Sequence, residues 1–200
     1  MRTTRLEHDK IYVIDDFISE AYQDLIENTV LSNKIEYHFE NDIGHMNNRE
    51  GGNFGFGNTV RDEGSSTSKW DNLFLPMIHD ALFKINRKVA FVRQGRVFIT
   101  TSGVPNKQDV YHIDSPSYHI VVLYYVNDSD GDTILTTKID DESLSINGIP
   151  TSKFFNEGEL EVHKKITPEK GKAVIFNGLR YHCSSRPSKG KRAVINYNVL

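Results

Sequence analysis

A mainly β domain (α+β overall), a sandwich or closed barrel supported by N-terminal helices, is the architecture this sequence predicts. Three observations point to it. Beyond Ala90 the chain reads as short alternating segments at even spacing with turn signals between them. Helical periodicity is confined to the part before Ala90. Two hundred residues are enough for one domain to bury a substantial core without disulfides or structural metal. The expected organisation is therefore a single domain over 1–200, with helical support and a glycine-rich loop in 1–90 and the β core in 91–200.

In chain order, Lys10 to Asp15 (KIYVID) alternates as a short strand. Ser19 is placed to cap a helix reaching about Leu31, with Ala21, Leu25 and Ile26 on its buried side. From Asp42 to Ser68 the chain is polar and carries six glycines. That is too long for an ordinary connection, and the segment is expected to be a lid or a fixed linker. Phe54 and Phe56 are its exceptions, apolar groups costly to leave exposed.

Trp70, Leu73, Phe74, Met77, Ile78, Leu82, Phe83 and Ile85 recur at helical spacing, with Pro76 either kinking or starting that helix. The expected strands are then about Gly95 to Thr101, Val110 to Asp114, Tyr118 to Asn127, Thr133 to Thr137, Glu159 to Lys164, Ala173 to Asn177 and Arg192 to Val199. Lys138 to Glu157 reads as an insertion between two of them.

Composition narrows the function classes. Lys and Arg number 24 against 27 Asp and Glu, a net charge of −3, and the basic residues are scattered, which disfavours nucleic-acid partners. The single cysteine, Cys183, cannot form an intramolecular disulfide and fits a reducing compartment. No run approaches the ~18 apolar residues of a membrane span, and the N-terminus lacks a signal-like apolar core. An intracellular, cytoplasmic protein is the expectation.

The chemistry is concentrated in a few residues. His112 and Asp114 are two apart in Tyr111-His112-Ile113-Asp114, so on a strand both side chains leave one face. A distant histidine, His182, completes two imidazoles and a carboxylate, a set that leaves coordination positions open. Zinc also accepts such ligands. Singly, each of the three is an ordinary loop or core residue. Asp128 to Asp132 has the acidic spacing of a calcium loop, but its glycine is misplaced and no glutamate stands at the twelfth position, so it reads as a hairpin turn.

Together with Leu123-Tyr124-Tyr125-Val126-Asn127, Gly131-Asp132-Thr133, Phe176-Asn177 and Arg192-Ala193-Val194-Ile195-Asn196, the HxD and the distal histidine resemble the Fe(II)/2-oxoglutarate-dependent dioxygenase superfamily, in its prolyl-4-hydroxylase-like branch. The match covers about half the chain, from roughly Arg96 to Leu200. The resemblance implies a double-stranded β-helix, or jelly roll. It also implies Fe(II) on His112, Asp114 and His182, with 2-oxoglutarate as cosubstrate and O2 as oxidant.

It implies further that Arg192 grips the distal carboxylate of 2-oxoglutarate, that Tyr125 offers its phenol opposite, and that Asn196, on the same strand face as Arg192, touches that carboxylate or a nearby water. Tyr124 then faces the other way, into packing. Arg186 is a second candidate anchor, and Arg96 a candidate to support the pocket or contact substrate.

The implied activity is hydroxylation of an unactivated C–H bond in a peptidyl residue such as proline. A small-molecule hydroxylase on the same scaffold is open, as is a cupin-like module that holds metal without turnover. Nucleic-acid demethylation is less favoured, because demethylases of this kind carry a second arginine six residues beyond the anchor, where this chain has Asn198. Substrate identity and oligomeric state are not encoded in any motif found.

Overall fold

A computed structural model describes residues 5–7, 9–41, 54–103, 107–140, 145–146, 149–150 and 154–200. Its elements in order are β1 (Ile11–Ile14), α1 (Glu20–Val30), β2 (His38–Glu40), β3 (Gly55–Asp62), β4 (Ser65–Ser66), α2 (Asp71–Lys84), β5 (Val92–Thr101), β6 (Ile120–Tyr125), β7 (Thr133–Ile139), β8 (Ser145–Ile146), β9 (Ile149–Pro150), β10 (Val162–Ile166), β11 (Ala173–Asn177), β12 (Arg180–Ser184) and β13 (Lys191–Val199).

The strands form two layers. The larger sheet runs β1-β11-β6-β13-β5-β3-β2, with β4 added to β3, and the smaller runs β10-β7-β12. Their pairings are antiparallel throughout. The smaller sheet is extended by residues 108–112, which bridge β12 at His112–His182 and the residue just after it at Gln108–Ser185. This is the expected jelly roll.

β6 and β11 are buried along their whole length because each of their faces meets a different core. One face carries Val122, Tyr124 and Ile175 against Ile26, Phe74, Met77 and Ile78 of the two helices. The other carries Val121, Leu123, Tyr125, Val174 and Phe176 against Leu135 and Ile166 of the smaller sheet. Tyr124 accordingly lies on the helix side, edge-on to Phe17, and Tyr125 between the sheets.

Several expectations need correction. On α1, Ile26 is buried, but Ala21 and Leu25 face solvent. The polar Gln23 turns inward instead, donating to the carbonyl of Ile18 at 3.0 Å and to Asp16. Ser19 does occupy the N-cap position, without a side-chain capping bond. On α2, Phe83 is 75% exposed, and Pro76 lies inside the helix on its exposed side. Residues 110–114 make isolated bridges, not a continuous strand.

The glycine-rich segment is the largest departure. Its residues 42–53 lie outside the described residues, but from Gly55 onward it is strand, paired along β5 as an inner strand of the larger sheet. Glycine is needed there for close approach: a Cβ on Gly57 would meet Glu40 and Phe98 at 3.1–3.2 Å. The insertion at 138–157 contains the short β8–β9 hairpin. No helix among the described residues is long and apolar enough to cross a membrane.

Candidate metal centre

His112 and His182 come together through backbone pairing. Each donates its amide to the other's carbonyl at 2.9 Å, so their side chains leave the same face of the bridge with ring centroids 4.8 Å apart. Asp114 follows in the bend after that bridge. Its Oδ1 lies 3.8 Å from His112 Nε2 and 3.7 Å from His182 Nε2. The ligand atoms of all three residues lie within 4.8 Å of one another.

The imidazoles are oriented for coordination. His112 Nδ1 donates to the Val110 carbonyl at 3.1 Å and His182 Nδ1 to the Arg180 carbonyl at 3.0 Å. A carbonyl only accepts, so the proton sits on Nδ1 and the Nε2 lone pair is free for a cation. Phe176 packs edge-on against the His182 ring. Burial lowers the pKa of both imidazoles, keeping them neutral, the form that coordinates metal.

Burial works against ionisation of Asp114. Neighbouring cationic groups, the Arg96 guanidinium first among them, outweigh it and hold the carboxyl well below the usual carboxylate range. Two neutral imidazoles and one ionised carboxylate with open space beside them suit a divalent transition metal.

These residues line a cavity between the two sheets, with Arg96, Phe98, Leu123, Thr133, Arg192 and Asn196 among its other walls. Arg192 projects from β13, buried, with Nε donating to the Gly131 carbonyl at 2.9 Å and Nη2 to Thr133 Oγ1 at 2.8 Å. Gly131 admits it by lacking a side chain, since a Cβ there would stand 3.1 Å from Arg192 Cδ and 2.8 Å from the Ser185 carbonyl.

The Tyr125 phenol donates to the same Thr133 oxygen at 2.7 Å, and burial pushes its pKa up to about 12, so it remains protonated. Arg192, Tyr125 and Thr133 thus form one polar cluster in which Arg192 and Thr133 line the cavity and Tyr125 lies behind them. Thr133, accepting from both neighbours, keeps its own proton to donate.

Other expected residues lie elsewhere. Arg186 does not line the cavity. Its Nη2 donates to the Phe54 carbonyl at 3.1 Å and its guanidinium lies 4.2 Å from the Phe54 ring centroid. Asn196 lines the cavity four residues along β13 from Arg192, about 13 Å of strand, and its amide donates to Asp114 Oδ2 at 2.8 Å. Arg96, its cross-strand neighbour, reaches Asp114 Oδ1 at 3.8 Å.

Cys183 points to the other side of β12, into an apolar cluster with Tyr111 and Ile134, and burial raises its thiol pKa. Three residues at or near the site escaped the sequence reading. Thr133 was visible only as part of a turn motif, and Asp109 and His119 carry no spacing signal.

Neither a protein-family model nor a curated protein sequence matches the chain. Solved structures do match in fold. A prolyl hydroxylase from Trichoplax adhaerens, in complex with a peptide fragment of the hypoxia inducible factor oxygen degradation domain, superposes with a TM-score of 0.60 at 16% identity, over 95% of this chain and 83% of that one. A Pseudomonas putida prolyl-4-hydroxylase gives 0.59 at 9% identity, over 94% and 91%. HygX from Streptomyces hygroscopicus, solved with nickel and 2-oxoglutarate bound, gives 0.58 at 11%, over 94% and 82%. The chain therefore has the jelly-roll fold of the 2-oxoglutarate/Fe(II) oxygenases, prolyl hydroxylases among them.

Proposed function

We propose that the protein is an Fe(II)- and 2-oxoglutarate-dependent dioxygenase that hydroxylates an unactivated C–H bond. The observation that carries this reading is one cavity lined by His112, Asp114 and His182 and also by Arg192 and Thr133, with the Tyr125 phenol bonded to Thr133 behind that wall. A metal-binding module without turnover has no use for a buried guanidinium, phenol and hydroxyl sharing one hydrogen-bond node.

His112 Nε2, Asp114 Oδ1 and His182 Nε2 would hold the iron. Arg192 and Thr133 would receive the distal carboxylate of 2-oxoglutarate, the guanidinium supplying charge and the Thr133 hydroxyl a donor, with the Tyr125 phenol behind them orienting Thr133 through its own hydrogen bond. Bound there, iron and 2-oxoglutarate supply the oxidising chemistry, in which O2 gives one oxygen atom to succinate and one to the product as CO2 leaves. The chain's own share is orientation and water exclusion. Val121, Leu123, Phe176 and Val194 give the cavity apolar walls, which strengthen its polar contacts.

The substrate we favour is a peptidyl residue such as proline, because the matching folds include the two prolyl hydroxylases described above, one of them seen with a peptide. A small molecule on the same site is the second reading, since another matching structure is an epimerase from nogalamycin biosynthesis. The test is incubation with Fe(II), 2-oxoglutarate and panels of proline-containing peptides and metabolites, reading succinate and a gain of one oxygen atom by mass. Metal-dependent succinate formation is expected. Failure to bind 2-oxoglutarate in the presence of metal would overturn the assignment.

A further inference from the structure

We propose that Asn196 is a positioning residue that makes Asp114 present a single oxygen to the metal. The inference rests on the metal centre proposed above. Asp114 is held from two sides. Its Oδ2 accepts from Asn196 Nδ2 at 2.8 Å, while Oδ1 faces His112 Nε2, His182 Nε2 and Arg96 Nη2 at 3.7–3.8 Å.

The amide orientation is forced by chemistry. An ionised carboxylate only accepts hydrogen bonds, so the Nδ2 side of Asn196 must face it. Asn196 Oδ1 then points away, and it is buried with no hydrogen-bond partner. An unmatched buried carbonyl destabilises the fold, and an apolar residue of similar shape would pack there without that penalty. An asparagine at this position therefore serves the carboxylate, not the packing.

The backbone fixes the arrangement. Asn196 lies mid-strand in β13, paired to Arg96 on β5 and Leu123 on β6, so its Cα cannot drift. Asp114 sits in a bend without strand neighbours of its own, and a free carboxylate there could rotate to offer both oxygens. With Oδ2 held, the protein contributes three donor atoms and not four. Arg96, whose charge offsets that of Asp114, leaves this choice to the amide.

The test uses the full chain loaded with Co(II), a redox-inert reporter, in Asn196→Ala and Asn196→Leu. The first removes the amide and its volume, the second the amide's polar atoms while keeping a side chain of similar shape. In both, Co(II) affinity should fall about 10-fold or more, the usual consequence of losing a partner that orients a metal ligand. The visible Co(II) absorption should change in intensity as the number of donor atoms changes.

Asn198→Ala is the control for damage to the strand. Asn198 is buried on β13 but does not line the cavity, so its loss should leave Co(II) affinity and spectrum as in the wild type, whatever its effect on the melting temperature. Wild-type-like or tighter Co(II) binding with an unchanged spectrum, in either folded Asn196 variant, overturns the proposal. Absence of Co(II) binding by the wild type overturns the metal centre itself, and this inference with it.

Discussion

His112 and His182 form one hydrogen-bonded antiparallel pair, each amide 2.9 Å from the other's carbonyl. The pairing sets the two imidazoles side by side before any metal arrives. A bridge of this type fixes both Cα positions, and the Nδ1 bonds to Val110 and Arg180 fix both rings. Preorganisation of this kind spares a metal the entropy of gathering its ligands.

Loss of either ring should therefore abolish metal binding without unfolding the chain. In His112→Ala and His182→Ala the backbone bridge survives, since it uses no side-chain atom. Metal affinity should fall by more than the about 10–100-fold typical of second-sphere changes, and 2-oxoglutarate turnover should vanish. Calorimetric titration with Co(II), alongside circular dichroism, checks both parts. A folded variant that turns over like the wild type would remove these residues from the centre.

The buried imidazoles also set a pH dependence for the metal-free protein. Burial, the leading cause in each case, lowers the pKa of His112, His119 and His182 in the folded state. The unfolded chain takes up protons on these rings below about 6.5, where the folded chain still does not. The unfolded state then binds more protons, and stability falls as pH drops below that value. Urea midpoints for metal-free protein should be lower at pH 5.5 than at pH 7.5. An equal or higher midpoint at pH 5.5 would mean the rings are not held neutral.

Much of the fold was legible because apolar alternation and turn residues report it directly. β1, β6, β7, β11 and β13 lie close to their expected positions, and the order HxD, paired tyrosines, distal histidine, arginine survives folding intact. Where the sequence misled, a tertiary contact overrode local pattern. Gly57 read as loop because the reason for glycine, a crowded neighbour across the sheet, is not local. The face of α1 is rotated from the apolar stripe because Gln23 finds partners inside. Asn196 looked like a companion of Arg192 on face alternation alone. Alternation gives the face but not the reach, and its amide meets Asp114.

Gly178, between β11 and β12, should be intolerant of alanine. A Cβ there would fall 2.1 Å from His119 Nε2, and the His119 ring is fully buried. Overpacking of this kind costs about 1–3 kcal/mol. If the clash is the cause, Gly178→Ala should cost far less in a His119→Ala background, a coupling that a double-mutant cycle measures. Equal cost in both backgrounds would place the strain elsewhere.

Arg192 and Arg186, both buried, should separate cleanly in cosubstrate binding. Arg192 lines the cavity and shares Thr133 Oγ1 with Tyr125, whereas Arg186 is committed to the carbonyl and ring of Phe54. Removing one partner of a buried charge pair costs about 2–5 kcal/mol, so Arg192→Ala should weaken 2-oxoglutarate binding by roughly 30-fold or more. Tyr125→Phe removes one neutral donor and should cost about 0.5–1.5 kcal/mol. Arg186→Ala should leave 2-oxoglutarate affinity unchanged and lower the melting temperature, because a buried side chain is lost and the start of β3 is released. Arg192→Lys is informative between these limits: it keeps the charge but cannot bond Gly131 and Thr133 together as the planar guanidinium does, so partial recovery is expected. Titrations of each variant with 2-oxoglutarate in the presence of Co(II) would decide the matter. A larger loss in Arg186→Ala than in Arg192→Ala would move the carboxylate anchor off β13 altogether.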